Sequence, residues 1–255
     1  MVDLPAGELI ACHECDHLHR YVSIPVGAKA SCAHCGSILY RNTPDSLNRS
    51  LALYCAALVL FIIANCFPFL SLTLGGRAVH NILLSGGLVM YEMGMGELGL
   101  LIFLTSIGFP MLTIIGMLYL LISVRLGYKP PGLGPVYRLA EIVTPWSLVS
   151  VFMLGVLIAI VKLQDIANVI IGPAFFALTS LLIVYAAART NFDPRVLWSL
   201  TPHVNPKESE LDESIRYLNC HTCGLLSEER QHAQDCPRCT TPLHHRKHNS
   251  IESTW

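Results

Sequence analysis

Four long apolar runs dominate the pattern of hydrophobic and polar positions along the chain. Each run is almost free of Asp, Glu, Lys and Arg, and each approaches or exceeds the roughly 20 residues that a helix needs to cross a bilayer. The pattern therefore predicts an all-α integral membrane protein with a four-helix transmembrane module at residues 49–190. The predicted spans cover about residues 50–70, 98–124, 145–165 and 172–189.

Two interruptions refine this picture. After Pro68 the hydrophobicity alternates, with Leu72 and Leu74 leading into a Gly75-Gly76 pair. Alternation around two glycines predicts a small β-hairpin between the first and second spans. Residues 108–110, a Gly-Phe-Pro sequence inside the second span, predict a kink or tilt.

Basic residues flank the spans unequally. Only Arg77 and Lys162 lie near one set of span ends, whereas the other ends have Arg41, Arg49, Arg125, Lys129, Arg138, Arg189 and Arg195. The positive-inside rule places the larger set in the cytoplasm, so we expect both termini to be cytoplasmic and the hairpin periplasmic. Since the first 48 residues contain no apolar h-region, the first span is expected to serve as the insertion signal.

Composition agrees with a membrane protein and narrows the function. The 255 residues are 53% hydrophobic and 14% charged, too apolar for an ordinary soluble domain. The net charge of −1, without a continuous basic stripe, gives no reason to expect nucleic acid. No Walker loop, GxSxG elbow, HExxH motif or dinucleotide fingerprint is present, so we predict a protein that is not an enzyme.

Eight of the ten cysteines form four Cys-x-x-Cys pairs. They are Cys12, Cys15, Cys32, Cys35, Cys220, Cys223, Cys236 and Cys239. The spacing is typical of zinc ribbons, in which each pair closes a knuckle that directs two thiolates at a tetrahedral ion. Gly36 and Gly224, which follow two knuckles, suit the positive φ that such turns often need. We predict two structural zinc ions; rubredoxin-like iron and a redox dithiol are the alternatives.

These ribbons bracket the membrane module. The N-terminal ribbon takes residues 1–48, and the C-terminal ribbon with a basic tail takes residues 219–255. The linker at residues 191–218 contains a predicted short interfacial helix, with Trp198 expected at headgroup depth. Cytoplasmic thiols stay reduced, which favours metal binding over disulfides.

Polar residues within the apolar runs are candidates for a functional site. Lys162 and Asp165 place opposite charges one helical turn apart between two apolar runs. Such a pair is a hypothesis for a lipid headgroup or proton site; the plainer alternative is a lysine that reaches for water at the membrane surface. Asn65, near Pro68, should face protein or a cavity because an amide in lipid needs a partner.

Several motifs together resemble the paraquat-inducible protein A family. They are the paired cysteines, Ala64-Asn65-x-Phe67-Pro68-Phe69, Val161-Lys162-Leu163-x-Asp165 and Phe192-Asp193-Pro194-Arg195. The resemblance implies a tetraspanin-like four-span module with cytoplasmic zinc ribbons in the bacterial inner membrane. It also implies a subunit that moves phospholipid between that membrane and a periplasmic tunnel of mammalian-cell-entry-domain protein. Lys162 and Asp165 match the family's polar site.

One departure from the family leads to a further expectation. Long members carry a second four-span module after the second ribbon, whereas this sequence ends soon after its second ribbon. Either the second module is a separate chain or this subunit pairs with itself; we expect a second four-span chain of the same family as a partner. The competing functions are a quinone-linked thiol oxidoreductase that uses a Cys-x-x-Cys pair, and a zinc-dependent membrane scaffold or sensor.

Overall fold

The computed structural model describes most of the chain. The described residues are 8–74, 77–81, 91–128, 130, 132–144, 149–163, 168–198, 217–220, 222–228 and 235–245. The chain divides into two compact units, and each is described by itself below. The cysteine unit comprises residues 1–48, 120–138 and 192–255, and the helical unit comprises residues 49–119 and 139–191.

The described helices account for most of the regular structure. They are α1 (Ser46–Cys66), α2 (Gly96–Phe103), α3 (Phe109–Arg125), α4 (Leu133–Val143), α5 (Val149–Leu163), α6 (Pro173–Asn191) and α7 (Pro194–Trp198). Three stretches are long and apolar enough to cross a membrane: α1, the 30 residues Gly96–Arg125 and α6. Helix α5, in the third predicted span, has 15 described residues. The protein is therefore a mostly helical membrane protein with three such helices among the described residues.

A π-helical turn at Leu104–Gly108 joins α2 to α3. Its defining hydrogen bond runs from the backbone N–H of Phe109 to the carbonyl of Leu104, five residues earlier. Pro110 follows and has no N–H to continue the regular ladder, so a carbonyl one turn upstream loses its donor. The irregularity lies where the Gly-Phe-Pro sequence predicts a kink, and proline with a π-turn is its physical cause.

Helix α1 buries one face in the helical unit. Tyr54, Ala57, Phe61 and Ala64 are each at most 5% exposed and recur every three or four residues. The alanines allow close approach of neighbouring backbone, which membrane helices use in place of a hydrophobic driving force. On the other face Val59 is 56% exposed, as expected for a side chain that contacts lipid.

An antiparallel three-stranded sheet also belongs to the helical unit. Strands β5 (Leu70–Leu74) and β6 (Arg77–Asn81) pair with Leu74 opposite Arg77, which confirms the predicted hairpin. Strand β7 (Asn168–Ile171) pairs with the other edge of β5, so that the order is β6-β5-β7. The sequence pattern missed β7, because a short apolar run between two predicted spans is equally compatible with helix.

Short strand pairs surround the cysteines in the cysteine unit. The pairs are β1 (Leu9–Ala11) with β2 (Leu18–Arg20), β3 (Lys29–Ser31) with β4 (Ile38–Arg41), and β8 (Tyr217–Asn219) with both β9 (Leu226–Glu228) and β10 (His244–His245). Leu9, Ala11 and Leu226 form a buried apolar cluster. Asn219 Nδ2 donates to Asp16 Oδ1 at 3.2 Å. The N- and C-terminal cysteine segments thus pack together within this unit.

Candidate functional sites

The first cysteine cluster lies where the turns of two hairpins meet. Cys12 and Cys15 lie between β1 and β2, and Cys32 and Cys35 lie between β3 and β4. The Sγ atoms of Cys12 and Cys35 are 3.5 Å apart, and those of Cys15 and Cys32 are 3.6 Å apart. All four Sγ atoms lie within 4.8 Å of one another. Four of the predicted ligands are therefore brought together.

The second cysteine cluster repeats this arrangement. The Sγ atoms of Cys220 and Cys239 are 3.4 Å apart, and those of Cys223 and Cys236 are 3.5 Å apart. These four atoms also lie within 4.8 Å of one another, and three of the four residues are buried. The eight predicted ligands therefore form two groups of four, as their spacing indicates.

The same backbone turn recurs at all four Cys-x-x-Cys pairs. In the first turn, the Cys12 N–H donates to the carbonyl of His17 at 2.9 Å, and the Asp16 N–H donates back to Cys12 at 3.0 Å. The residue after each second cysteine has a positive φ: Asp16 (54°), Gly36 (74°), Gly224 (68°) and Thr240 (58°). The expected role of the two glycines is confirmed, while Asp16 and Thr240 adopt a conformation that side chains disfavour.

The donor set fits a tetrahedral thiophilic ion. With metal–sulfur bonds of about 2.3 Å, tetrahedral geometry places sulfur atoms roughly 3.8 Å apart. The observed separations of 3.4 to 3.6 Å are close to this value. They far exceed the ~2.05 Å of a disulfide, and all eight cysteines are free thiols. Each cluster can therefore hold one metal ion.

The close sulfur contacts also bear on the dithiol alternative. In both clusters the shortest contacts join a cysteine of one turn to a cysteine of the other. A redox dithiol needs its two sulfurs free to bond to each other and accessible to a substrate. Four-sulfur clusters with mostly buried members favour a metal centre over redox pairs.

Hydrogen bonds and burial shift the pKa of individual cysteine thiols in opposite directions. Hydrogen bonds, first from the Ser37 hydroxyl, lower the pKa of Cys35 to about 6, whereas burial raises the pKa of Cys15 to about 12. In the second cluster, hydrogen bonding, first with Cys220, lowers the pKa of Cys236 to about 7. A cation must therefore displace at least the Cys15 proton to be held by four thiolates.

His19 adds a nitrogen at the edge of the first cluster. Its Nε2 lies 3.1 Å from the Cys32 Sγ atom. Burial lowers the pKa of His19, which favours the neutral ring. A neutral imidazole can donate one N–H to a thiolate, and such contacts orient metal ligands. The Cys-x-x-Cys spacing predicts only cysteines as ligands, and the His19 contact leaves that ligand set unchanged.

Helix α4 packs directly on the second cluster. A Cβ atom added at Gly134 would lie 2.7 Å from the Arg238 carbonyl oxygen and 2.9 Å from the Cys239 Cα. One turn later Arg138 Nη1 donates to the Thr240 carbonyl at 2.9 Å. The knuckle is therefore supported by helix backbone at close range, which cysteine spacing alone does not reveal.

Helix α7 contacts both cysteine segments. Trp198 is 4% exposed and meets the Tyr137 ring edge-on at 5.4 Å; its expected place at headgroup depth stays a prediction. The Arg238 guanidinium lies 5.5 Å from the Trp198 ring centre. At the other end of α7, the Arg195 guanidinium lies 4.3 Å from the Tyr40 ring centre. The Trp198 indole therefore packs between residues of the cysteine unit.

The membrane helices contain a second candidate site at the end of α1. Asn65 Nδ2 donates to the Phe61 carbonyl at 2.7 Å, while its Oδ1 is buried without a hydrogen-bond partner among the described residues. Nearby, a Cβ added at Gly172 would overlap the Pro68 carbonyl oxygen. The Gly172 N–H donates to the Phe69 carbonyl at 3.0 Å. The end of α1 and the start of α6 therefore touch through backbone.

The predicted charged pair is only partly described. Lys162 lies in the last turn of α5 with an exposed side chain. Asp165 lies outside the described residues. Their pairing and a shared site with Asn65 therefore stay predictions.

A further polar group in the helical unit was missed by the sequence analysis. Arg189 Nη2 lies 3.3 Å from Glu141 Oε2, and both side chains are more than one-third exposed. Tyr54, 2% exposed, meets the Tyr185 ring edge-on at 6.2 Å. Tyr54 and Tyr185 each lie in an apolar run, where a single tyrosine is an ordinary membrane-helix residue. Only the packing of the folded chain shows that these two rings are in contact.

Comparison with known proteins gives the family. The family model described as PqiA: Paraquat-inducible protein A matches residues 47–201. The chain is similar to the Lipophilic envelope-spanning tunnel protein A of Escherichia coli (strain K12), at 27% identity over 99% of this chain and 58% of that protein. It is also similar to the Intermembrane transport protein PqiA of the same organism, at 26% identity over 98% of this chain and 60% of that protein.

A third relative and the lengths qualify these likenesses. The Probable intermembrane transport protein of Haemophilus influenzae is 25% identical over 68% of this chain and 42% of that protein. The chain thus spans about 60% or less of the length of these relatives. These relatives are named as tunnel or transport proteins and not as enzymes. No solved structure matches the chain.

Proposed function

Because the chain belongs to the paraquat-inducible protein A family, we propose that it is an inner-membrane subunit of a lipid-transport system. In this role it moves phospholipid between the inner membrane and a periplasmic tunnel of mammalian-cell-entry-domain protein. The observation that carries the proposal is the family match, which runs from the first turn of α1 to beyond α6. That segment includes nearly all of the three membrane-capable helices.

Relatives support transport as the role. Two are named intermembrane transport proteins and one an envelope-spanning tunnel protein. The chain spans less than two thirds of the length of these relatives. A second four-span chain of the same family is proposed as a partner. A fourth membrane crossing by the α5 segment and cytoplasmic termini complete the proposed topology.

The proposed lipid or proton site consists of Asn65, Lys162 and Asp165. The buried Oδ1 of Asn65, which has no hydrogen-bond partner among the described residues, is an acceptor that a headgroup donor or a proton carrier would satisfy. The exposed Lys162 offers a cation to a phosphate. A hydrogen-bond acceptor and a cation on otherwise apolar helices are groups that can bind a phospholipid headgroup.

The two cysteine clusters are proposed as zinc ribbons with a structural role. Zinc fits because each cluster offers four sulfur donors, which fill a tetrahedral coordination shell. A filled shell has no open position for catalysis. The residues that hold the ions are the eight paired cysteines, and bound zinc supplies cross-linking of the short hairpins. Its binding energy would stabilise segments too small to build their own core.

Site-specific photocrosslinking tests the headgroup site. A benzophenone amino acid is placed at Val161, which is 62% exposed next to Lys162, and at Ile183, which is 68% exposed on α6. In cells, both positions should capture phospholipid because both side chains point outward. Replacement Lys162→Ala should lower the Val161 adduct severalfold and leave the Ile183 adduct unchanged. Equal Val161 adducts with and without Lys162 would remove this residue from the site.

Affinity purification from native membranes tests the partner proposal. A tagged chain should bring down both a second four-span chain of the family and a mammalian-cell-entry-domain protein. Recovery of neither, from membranes in which the tagged chain has two zinc ions bound, would contradict the proposed assembly.

A further inference from the structure

A loop in the N-terminal cysteine segment presents apolar side chains to its surroundings. The loop covers residues 21–28, between β2 and β3. Val22 is 57% exposed and Val26 is 53% exposed. Two exposed valines in one loop make this loop a candidate for contact with an apolar medium.

Tyr40 and Asn42 hold this loop through hydrogen bonds to its backbone. The Tyr40 hydroxyl donates to the Val22 carbonyl at 2.7 Å, and the Val22 N–H donates to the same hydroxyl oxygen at 3.0 Å. Asn42 Nδ2 donates to the Ile24 carbonyl at 2.8 Å, and the Gly27 N–H donates to the Asn42 carbonyl at 2.7 Å. These hydrogen bonds satisfy part of the loop backbone, which lowers the polar cost of contact with an apolar medium.

Two cations lie beside the loop. Lys29 and Arg41 are exposed and occupy directly opposite positions in the β3–β4 pair. Like charges facing each other across a strand pair repel. Within the described part of the chain neither has an acidic partner to offset this repulsion. An anionic surface would relieve the repulsion between Lys29 and Arg41. The pair therefore indicates that the loop faces an anionic surface.

Chain connectivity brings this end of the segment close to lipid. Arg41 ends β4, and the membrane-capable helix α1 begins five residues later at Ser46. Five residues reach at most about 18 Å, so Arg41 lies within that distance of the start of α1. The loop and its cations are therefore tethered near the bilayer surface where α1 enters.

We propose that Val22, Val26, Lys29 and Arg41 form a membrane-docking surface that binds the anionic phospholipid leaflet at the start of α1. The valines insert at the boundary between the headgroups and the acyl chains, and the two cations contact lipid phosphates. Each cation near an anionic surface contributes about fivefold to binding. Docking holds the first cysteine cluster at a set distance from the membrane, whatever the protein transports.

Photocrosslinking in purified, reconstituted full-length protein tests this surface. Benzophenone is placed at Val22, Val26 or Ile38 in zinc-loaded protein within vesicles of phosphatidylethanolamine with one-quarter phosphatidylglycerol. Ile38 is the matched control because it is 59% exposed in the same segment but lies three residues from Cys35, beside the cluster. Lipid adducts are expected at Val22 and Val26 and not at Ile38.

The charge requirement separates docking from chance proximity. The double replacement Lys29→Gln with Arg41→Gln should lower the Val22 adduct severalfold, as should vesicles of phosphatidylethanolamine and phosphatidylcholine alone. The ribbon should stay folded, since the change removes a repulsion, and unchanged zinc content verifies this. Equal adducts at all three positions, or no Val22 adduct while Ile183 on α6 captures lipid, would overturn the proposal. Val22 adducts to protein in native membranes with none to lipid would equally overturn it, by identifying a protein partner.

Discussion

The close approach of Gly172 to Pro68 allows a sharp test of the helical unit. Replacement Gly172→Ala adds a Cβ atom that overlaps the Pro68 carbonyl oxygen and lies 2.9 Å from its carbonyl carbon and 3.2 Å from the Phe69 oxygen. A carbon and an oxygen in contact are separated by more than about 3 Å, so the backbones must part by roughly 1 Å. All three contacted atoms are backbone, and no side-chain rotation can relieve the overlap.

The expected cost follows from two terms. Overpacking of this kind costs about 1–3 kcal/mol, and a rigid backbone neighbour places the value at the upper end. Parting the backbones also stretches the 3.0 Å hydrogen bond from the Gly172 N–H to Phe69, whose loss costs about 1 kcal/mol more. Reduced freedom of the unfolded chain returns about 0.4–1 kcal/mol. The net destabilisation is about 3 kcal/mol, or roughly 6–12 °C in Tm.

Gly155→Ala is the matched control. Gly155 lies inside α5, and an added Cβ there meets nothing within 4 Å. Alanine is the better helix former by about 1 kcal/mol, so the control should be neutral or slightly stabilising. Thermal unfolding of both purified proteins in the same detergent, followed by circular dichroism, gives the comparison. A Tm for Gly172→Ala within about 2 °C of the control would refute the inferred contact between the end of α1 and the start of α6.

The remaining predictions concern the cysteine clusters. Gly134→Ala, which overlaps the Arg238 oxygen, should make the second cluster release zinc to a chelator faster while the first cluster is unchanged; equal release from both would contradict the packing of α4. Gly224→Ala meets no atom within 4 Å but has a φ of +68°, so it should cost about 1–2 kcal/mol from conformation alone, measured as weaker zinc binding relative to Gly155→Ala. Zinc affinity should rise with pH between 6 and 8, because the raised pKa of Cys15 means that binding must displace its proton, and that proton is held less firmly as pH increases. A competition titration that gives the same affinity at pH 6 and pH 8 would refute this last point.

Local pattern determined a large part of the fold and of the metal sites. Run length and lack of charge located α1, α6 and the helix from Gly96 to Arg125, because crossing a bilayer imposes length and apolarity on each helix separately. Cys-x-x-Cys spacing located both four-sulfur clusters, because each knuckle is a turn of a few residues. The two-glycine turn located the β5–β6 hairpin for the same local reason.

Contacts between distant residues were decided only by tertiary structure. Strand β7 pairs with β5 from nearly 100 residues away. A short apolar segment is compatible with both strand and helix, so the free edge of β5 decides its conformation. Trp198 packs on Tyr137, and Gly172 meets Pro68, through packing that no periodicity encodes. Hydrophobic length and turn spacing are properties of single segments, so they can be predicted from the sequence alone. The pairing of buried surfaces depends on shape complementarity between distant parts of the folded chain.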